Sequence, residues 1–560
     1  MASSIASQLQ AIKSFIQTDS EPQKRPLTRP SVLYNPKEAA DIDIDTILNI
    51  ALTGLEVLGG VDERFRNYKG DLFSHKSKEL DRELMGVDHN NRINASISSY
   101  LRLLSGHLQL PASLKTLEYL IRRYKIHVYN IEDLVLCVLP YHDTHAFVRI
   151  IQLINTGNSK WKFLDGVNMS GAPPPRSVIV QQCIRDMGVL EALCNYASAT
   201  KKFQASRPVI SFCTAVIIEV LGSLSTIDSD TVNRILPFVT SGLQTGTKGG
   251  CDHKAGALMI VGLLATKVAL NHKLVNSLIR SVAQVAMEDA KESTGLPWFR
   301  LSLMALINLV QSQSVDTIPK KALEILRDIR DIARIFLELS KGFNIDRFLA
   351  ILLESLVDQS SSDDSYHLAL ISIIDTVPLK NLVDNIVRKI LLTCMKLSEK
   401  DRKLASSGTG TWAKKILAAI DKKNPSQFQG AVHKFLQDDK VQSKKEDEVL
   451  ELCKVLDGNL DDSMSVSDSK IWFASHHPEP KIRRATFSGL NRSAILKIKS
   501  LDFQRLVNIK DAVLRQLHDD DLTVVQAALS LDGLTEILSP PDLLEALHNV
   551  IKKCLSFLIS

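Results

Sequence analysis

The sequence predicts an all-α chain built as an α-solenoid, and three observations point there. Apolar residues make up 45% of the 560 positions, with abundant Leu, Ile, Ala and Val, while aromatics are only 6%. That balance favours helix-on-helix packing over sandwiches and barrels, whose strands want β-branched and aromatic residues. Helix-length apolar stretches alternate with short turns almost to the end, without strand-like alternation between hairpin turns or a βαβ rhythm. Finally, PEPKIRRATFSGL (478–490) and DDLTVVQAALSL (520–531) share one form: an acidic or Pro-rich turn, a β-branched residue, a small residue and a large apolar one. Ala485 and Ala527 stand 42 positions apart (527 − 485).

A period of about 40–47 residues is that of HEAT and armadillo repeats, in which a small residue lets neighbouring helices approach closely. From the N-terminus, Ile5, Leu9, Ile12 and Ile16 fit a short amphipathic helix docked on the body. The same stretch is Ser-rich and free of acids before Asp19, which also fits an organelle transit peptide; a secretory apolar core is lacking. TDSEPQKRPLTRP (18–30) reads as a linker. Asp45 is placed to cap the helix TILNIALTGLEVL, and Gly59-Gly60 to stop it. IEDLVLCVL reads as a helix broken by Pro140, after which Asp143 can cap THAFVRIIQLI. Further helices are expected at VIIEVLGSL, TVNRILPFVTSGL, KLVNSLIRSVAQVAM, WFRLSLMALINLV, DRFLAILLESLV and LLEALHNVIKKCLSFL. Solvated connections are expected at 157–177, 244–250, 358–365 and 437–448. The organisation expected is a segment 1–34, helical repeats over 35–200, and further HEAT-like repeats over 201–560. The last helix would leave an apolar face open, as in an array cut short.

The net charge of +5, from 68 basic and 63 acidic residues, is close to neutral at this length and argues against a histone-like or tail-driven nucleic-acid binder. The eight cysteines form no CxxC pair and read as reduced core residues. No uninterrupted apolar run reaches the roughly 18 residues of a membrane span.

CVLPYHDTHAF (137–147) is the one cluster that invites an enzymatic reading, with His142, Asp143 and His145 beside Cys137. Zinc takes three or four ligands in tetrahedral order, usually from His at i, i+4 or from Cys pairs. Here the histidines are i, i+3 across a turn and no Cys pair completes the set, so a helix corner is the expectation, with no metal and no cofactor. QTGTKGGCDHK and SSGTGTWAKK are not GxxxxGK[ST] and follow no strand. The candidate nucleic-acid contacts are Lys481, Arg483, Arg484, Arg492, Lys497 and Lys499, within the acid-free KIRRATFSGLNRSAILKIK. Several could share a ridge that binds phosphates through a salt-sensitive Coulomb term; the bland reading is a solvated face whose arginines tie repeats together. RRYKIH (122–127) is a weaker candidate, since Tyr124 and Ile126 look like packing residues.

Two segments carry more than composition. NPKEAADIDIDTILNIALTGLEVL (35–58) and LEYLIRRYKIHVYNIEDLVLCVLPYHDTHAFVRIIQLI (117–154) resemble consecutive N-terminal blocks of the HEAT repeat-containing protein 1 family, also called U3 small nucleolar RNA-associated protein 10. A SIASQL-like start precedes them and a SGAPPPRSVIVQQCIRDMGVLEAL-like stretch follows. The resemblance covers roughly residues 1–200 and gives way to a general helical-repeat likeness. It implies a non-enzymatic scaffold of the small-subunit processome, in the early subcomplex that binds the 5′ external transcribed spacer of pre-rRNA. It further implies nucleolar location, β-propeller partners, association with the U3 snoRNP, and roles in pre-rRNA transcription, processing and 18S rRNA maturation. A family of this kind has no catalytic residues, small-molecule substrate or membrane contact to carry over. The alternative is a HEAT adaptor of nuclear-transport or phosphatase-scaffold type.

Overall fold

The computed structural model describes residues 31–157, 159–200, 203–244, 250–291, 296–379, 382–400, 411–437 and, with short gaps, 471–559. Among the described residues every regular element is helical and no strand occurs. The fold is all-α and built from helical repeats. The chain divides into two compact units, one drawing on residues up to Asn271 together with Met304–Leu309, the other on His272–Leu303 and the chain from Val310 onward.

The first unit begins with α1 (Ile44–Val61), α2 (Val87–Leu104), α3 (Pro111–Tyr124) and α4 (Ile131–Val138). Asp43, not Asp45, caps α1: its carboxylate accepts from the Thr46 N–H at 2.8 Å. Asp45 sits in the first turn and pairs with Lys78. Nor do Gly59 and Gly60 stop α1, which runs to Val61, where the Asp62 N–H returns to Leu58 O at 2.8 Å. The glycine that matters is Gly54: a Cβ there would lie 2.8 Å from the Ala112 carbonyl of α3, so only Gly lets the helices approach this closely. Helix α1 is by length and composition apolar enough to cross a membrane. Asp45 and Glu56 interrupt its run, so a count of consecutive apolar residues passes over it. Its stripe of Ile47, Leu48, Ala51, Leu55 and Leu58 is buried.

The scarce aromatics concentrate in this region. Phe65 meets Tyr100 edge-on at 5.8 Å, Phe73 meets Tyr119 at 5.6 Å, and Tyr119 meets Tyr124 edge-on at 6.3 Å, favoured arrangements for ring quadrupoles. Two buried charges complete the block. Glu118, 1% exposed, accepts from Ser31 Oγ (2.8 Å), the Val32 and Leu33 N–H groups (2.8 and 3.3 Å) and Arg122 Nε (2.8 Å). It clasps the incoming chain to α3. Arg82, 4% exposed, donates to Asn90, Asn94, Asn130 and the Tyr124 carbonyl and lies 4.4 Å from the Tyr129 ring centre. Burial lowers its pKa, because water no longer stabilises the cation.

A ladder follows: α5 (Arg176–Arg185), α6 (Met187–Ala197), α7 (Arg207–Ser223), α8 (Ser229–Gly242) and α9 (Cys251–Lys267). Helix α7 packs on both α5 and α9, and α8 on α6, so alternate helices form two layers. The stretch 157–177 is not a solvated excursion. Trp161, Leu164 and Val167 are buried and a helix forms over Asp165–Ser170, since these apolar residues anchor the loop. His253, 1% exposed in α9, donates from Nε2 to Phe238 O at 3.0 Å.

The second unit repeats the scheme with α10 (His272–Lys291), α11 (Leu296–Ser312, apart from its Met304–Leu309 stretch), α12 (Lys320–Asp328), α13 (Ile332–Gly342), α14 (Asp346–Ser360), α15 (Asp364–Thr376), α16 (Val383–Lys400), α17 (Thr411–Lys423) and α18 (Pro425–Gln437). Successive contacts run α10–α12–α14–α16–α18 in one layer and α13–α15–α17 in the other. The polar stretch 358–365 is a tight turn: α14 continues to Ser360, and Asp363 caps α15 through the Ser365 N–H at 2.9 Å. Near the end, α19 (Phe503–Leu517), α20 (Leu522–Leu529) and α21 (Pro540–Ile559) enclose a core around Ile495, Val513, Leu517 and Ala528. Here the small packing residue is Ala528, fully buried; Ala527 is only half-buried and Ala485 is exposed. The helix phase sets the inward residue, one position from the alignment of the two sequence segments. Leu544, Ile551 and Leu555 on α21 are exposed.

Five cysteines, Cys137, Cys183, Cys194, Cys213 and Cys394, are buried and free, whereas Cys251 is exposed at the start of α9. The segments 1–30, 245–249 and 438–470, with the N-terminal helix, linker and loop expectations that fall there, lie outside the described residues.

Candidate nucleic-acid interface

The histidine corner is built as a helix junction. After α4 the chain makes a 3-10 turn over Leu139–Tyr141, with Pro140 in its first turn. The next helix, His145–Ile151, is capped by Thr144, whose Oγ1 accepts from the Phe147 N–H at 3.2 Å. Asp143, expected to cap it, is exposed; a hydroxyl one residue nearer the helix meets the orphan N–H instead. His142 is tied by Nδ1 to Pro174 O at 2.9 Å and lies against Phe212, while His145 is exposed. Cys137 is fully buried and its thiol pKa is pushed up by desolvation, the opposite of an activated thiolate. Among the described residues no three His, Cys, Asp or Glu side chains come together to hold a metal ion.

The basic segment divides in two. Lys481, Arg483 and Arg484 lie on the short helix Pro480–Arg484, packed against α20. Arg483 turns inward: Nε and Nη2 reach the two Asp519 oxygens at 2.7 and 2.9 Å, and Nη1 donates to His477 O at 2.7 Å. The pair is mostly buried, with side chains 12% and 11% exposed. Arg492 and Lys499 converge on Glu536 at 3.1 and 3.3 Å, and their hydrogen bonds hold that carboxyl below its usual range. Lys481 and Arg484 are exposed, and among the described residues neither makes an ion pair. Lys497 lies outside the described residues.

RRYKIH is occupied by packing and tethers. Tyr124 and Ile126 are buried, Arg122 pairs with Glu118, Arg123 donates to Ser77 O at 2.6 Å, and Lys125 pairs with Glu83 at 2.5 Å. Sequence reading passed over the recurrence of the Arg483 contact. In the middle of the second unit, Arg327 reaches Asp363 at 3.1 Å, again 36 residues downstream. Each aspartate accepts a backbone N–H two residues on, from Ser365 or Asp521; Asp363 caps α15 itself, whereas Asp519 lies in the turn before α20, which Asp521 caps. The signal in the sequence is an arginine followed after 36 positions by an aspartate in the turn that leads into a helix.

A sequence profile described as U3 small nucleolar RNA-associated protein 10 matches residues 231–356. A similar protein of Arabidopsis thaliana is 61% identical over the whole of this chain. Human HEAT repeat-containing protein 1 is 28% identical over 89% of the chain, and U3 small nucleolar RNA-associated protein 10 of Aspergillus niger 29% identical over 67%. The chain belongs to the HEAT repeat-containing protein 1 / U3 small nucleolar RNA-associated protein 10 family. It spans about a quarter of the length of these curated relatives, 25%, 24% and 21% respectively. Family likeness therefore reaches well beyond the first 200 residues, into the ladder of the second unit.

Proposed function

We propose that this chain is a non-enzymatic scaffold region acting with the U3 snoRNP in the nucleolar small-subunit processome, in pre-rRNA transcription and processing leading to 18S rRNA. The observation that carries this reading is likeness to proteins named for U3 small nucleolar RNA, over most of the chain. A two-layered helical array supports it physically, since such an array offers a long surface on which many weak contacts add through avidity. The partners proposed are the β-propeller proteins of the early subcomplex and the 5′ external transcribed spacer.

Within the basic segment, Lys481 and Arg484 are the cations we assign to RNA phosphates. Arg483, Arg492 and Lys499 hold neighbouring repeats together and add positive potential rather than direct contacts.

Affinity purification of the tagged chain, with and without RNase, tests the reading. Recovery of β-propeller nucleolar proteins with 5′ spacer RNA is expected. Proteins that persist after RNase mark direct docking. Recovery of a small GTPase or a phosphatase subunit instead would replace the reading with a transport or phosphatase adaptor.

A further inference from the structure

An apolar patch lies in the first unit, where the loop before α2 meets the helical turn Ile126–Tyr129 that follows α3. Leu84, Val87, Val128 and Tyr129 there are 87%, 76%, 54% and 42% exposed. Among the described residues no large apolar side chain is more exposed than Leu84. The patch is nevertheless pinned in place. Arg82 lies 4.4 Å from the Tyr129 ring centre and donates to the Tyr124 carbonyl at 3.1 Å. Glu83 pairs with Lys125 at 2.5 Å. On the other side of Leu84, Asn90 Nδ2 donates to the Arg82 and Met85 carbonyls at 3.0 and 3.2 Å. Loop and turn are therefore fastened together while their apolar side chains stay in water. An ordered surface of this kind has its conformational cost already met, and such patches mark contact sites.

We infer that the occupant is segment 5–16 of the same chain, docked as a helix with its stripe of Ile5, Leu9, Ile12 and Ile16 against Leu84, Val87, Val128 and Tyr129. Position supports this. The clasp fixes Ser31, Val32 and Leu33 to Glu118 of α3. Tyr124, at the end of that helix, is roughly 9 Å further along its axis, and the patch starts with the next residues. Reach supports it too, because residues 17–30 extended would span up to roughly 46–50 Å. So does chemistry. Lys13 is the one charged side chain in residues 1–18, so the segment brings an apolar stripe and little charge to a surface where Glu83 and Lys125 already answer each other. A tether of this kind gives an effective concentration on the order of millimolar, which favours the chain's own segment over a second copy. Val57 and Val61 on α1, 54% and 58% exposed, are the rival apolar pair in this unit. They offer two side chains where the patch offers four. The inference is independent of the scaffold reading and does not use the Lys481 and Arg484 surface.

Photo-crosslinking in the 560-residue chain is the test. The Leu84→p-benzoylphenylalanine variant is irradiated in dilute solution and digested, and its linked peptides are identified by mass spectrometry. A link within one chain to residues 5–16 is expected, and adding Leu9→Asp and Ile12→Asp should abolish it, since a buried charge on the stripe forfeits the apolar gain. Val128→p-benzoylphenylalanine should give the same link; thermal melting shows that each variant folds, and if the Leu84 variant does not, the Val128 variant decides. Val61→p-benzoylphenylalanine should give little. Equal yields from the Leu84 and Val61 probes would mean that the segment samples the surface without a seat, and would overturn the inference. Absence of links to residues 5–16, or links that survive both aspartates, would overturn it as well. Links between two chains that grow with concentration would reassign the patch to an interface between copies. Failure of the tagged chain to recover nucleolar proteins or RNA bears on the scaffold proposal and leaves this one standing.

Discussion

Residues 31–154 and the later repeats achieve the same helical packing by different means. The early region is held by contacts made once: the Glu118 clasp, the Arg82 cage of asparagines and the linked Phe and Tyr rings. Among the described residues the later repeats make one contact twice, an arginine reaching an aspartate 36 residues on in the turn that leads into a helix. A unique contact specifies one place in the chain; a recurring one specifies only that a neighbour is present. The family profile nevertheless matches residues 231–356, so the later repeats carry family character without such single contacts.

The contrast is open to measurement. The largest effect is expected at the clasp. Glu118→Ala removes the acceptor of several buried donors and strands Arg122, and should cost about 3–5 kcal/mol in denaturant unfolding. A loss under about 1 kcal/mol would show that the strap is held by its apolar contacts alone.

The second expectation concerns pH. His107, His127 and His253 all lie in the first unit, and burial holds each below the ordinary imidazole value of 6.5. Their folded values are depressed, so the unfolded chain takes up protons first. The stability they allow is present above about pH 6.5 and is lost as the pH falls toward the folded values. Thermal melting at pH 7.5 and 5.5 should show the loss, and His253→Gln should reduce it.

A third, smaller pair of effects sharpens the comparison between repeats. Arg483→Ala leaves a mostly buried Asp519 and should cost about 2–3 kcal/mol. Arg327→Ala breaks a pair whose Asp363 side chain is 50% exposed, and should cost about 1 kcal/mol or less. Equal costs would mean that the recurring contact works through geometry rather than burial.

The smallest effect separates two capping assignments. Thr144→Ala should cost about 1 kcal/mol, the usual value of a lost N-cap, and Asp143→Ala almost nothing.

Much of this fold was legible from apolar periodicity, because burial of one helix face is written into every third or fourth residue. What was not legible turned on distances that sequence does not carry. Asp45 and Asp43 are equally good caps on paper; only the approach of the Thr46 N–H selects Asp43. Gly60 looks like a stop, yet nothing requires the chain to turn there. Trp161 in a Gly- and Pro-rich stretch marked a buried anchor that the surrounding composition concealed. Of the candidate basic residues, the inward turn of Arg483 depends on Asp519, 36 positions away, and so could not be separated from its exposed neighbours.

The clasp also has a consequence in time. Ser31 finds its partner on Glu118, 87 residues later. At about 5–20 residues per second of synthesis, that partner emerges roughly 4–17 s after the serine. Until then Ser31, Val32 and Leu33 lack this acceptor, and a growing polypeptide must shield them or leave them to chaperones. The 36-residue pairs wait roughly 2–7 s by the same arithmetic. The strap at Ser31 is thus fastened later after its own synthesis than either arginine of the 36-residue pairs.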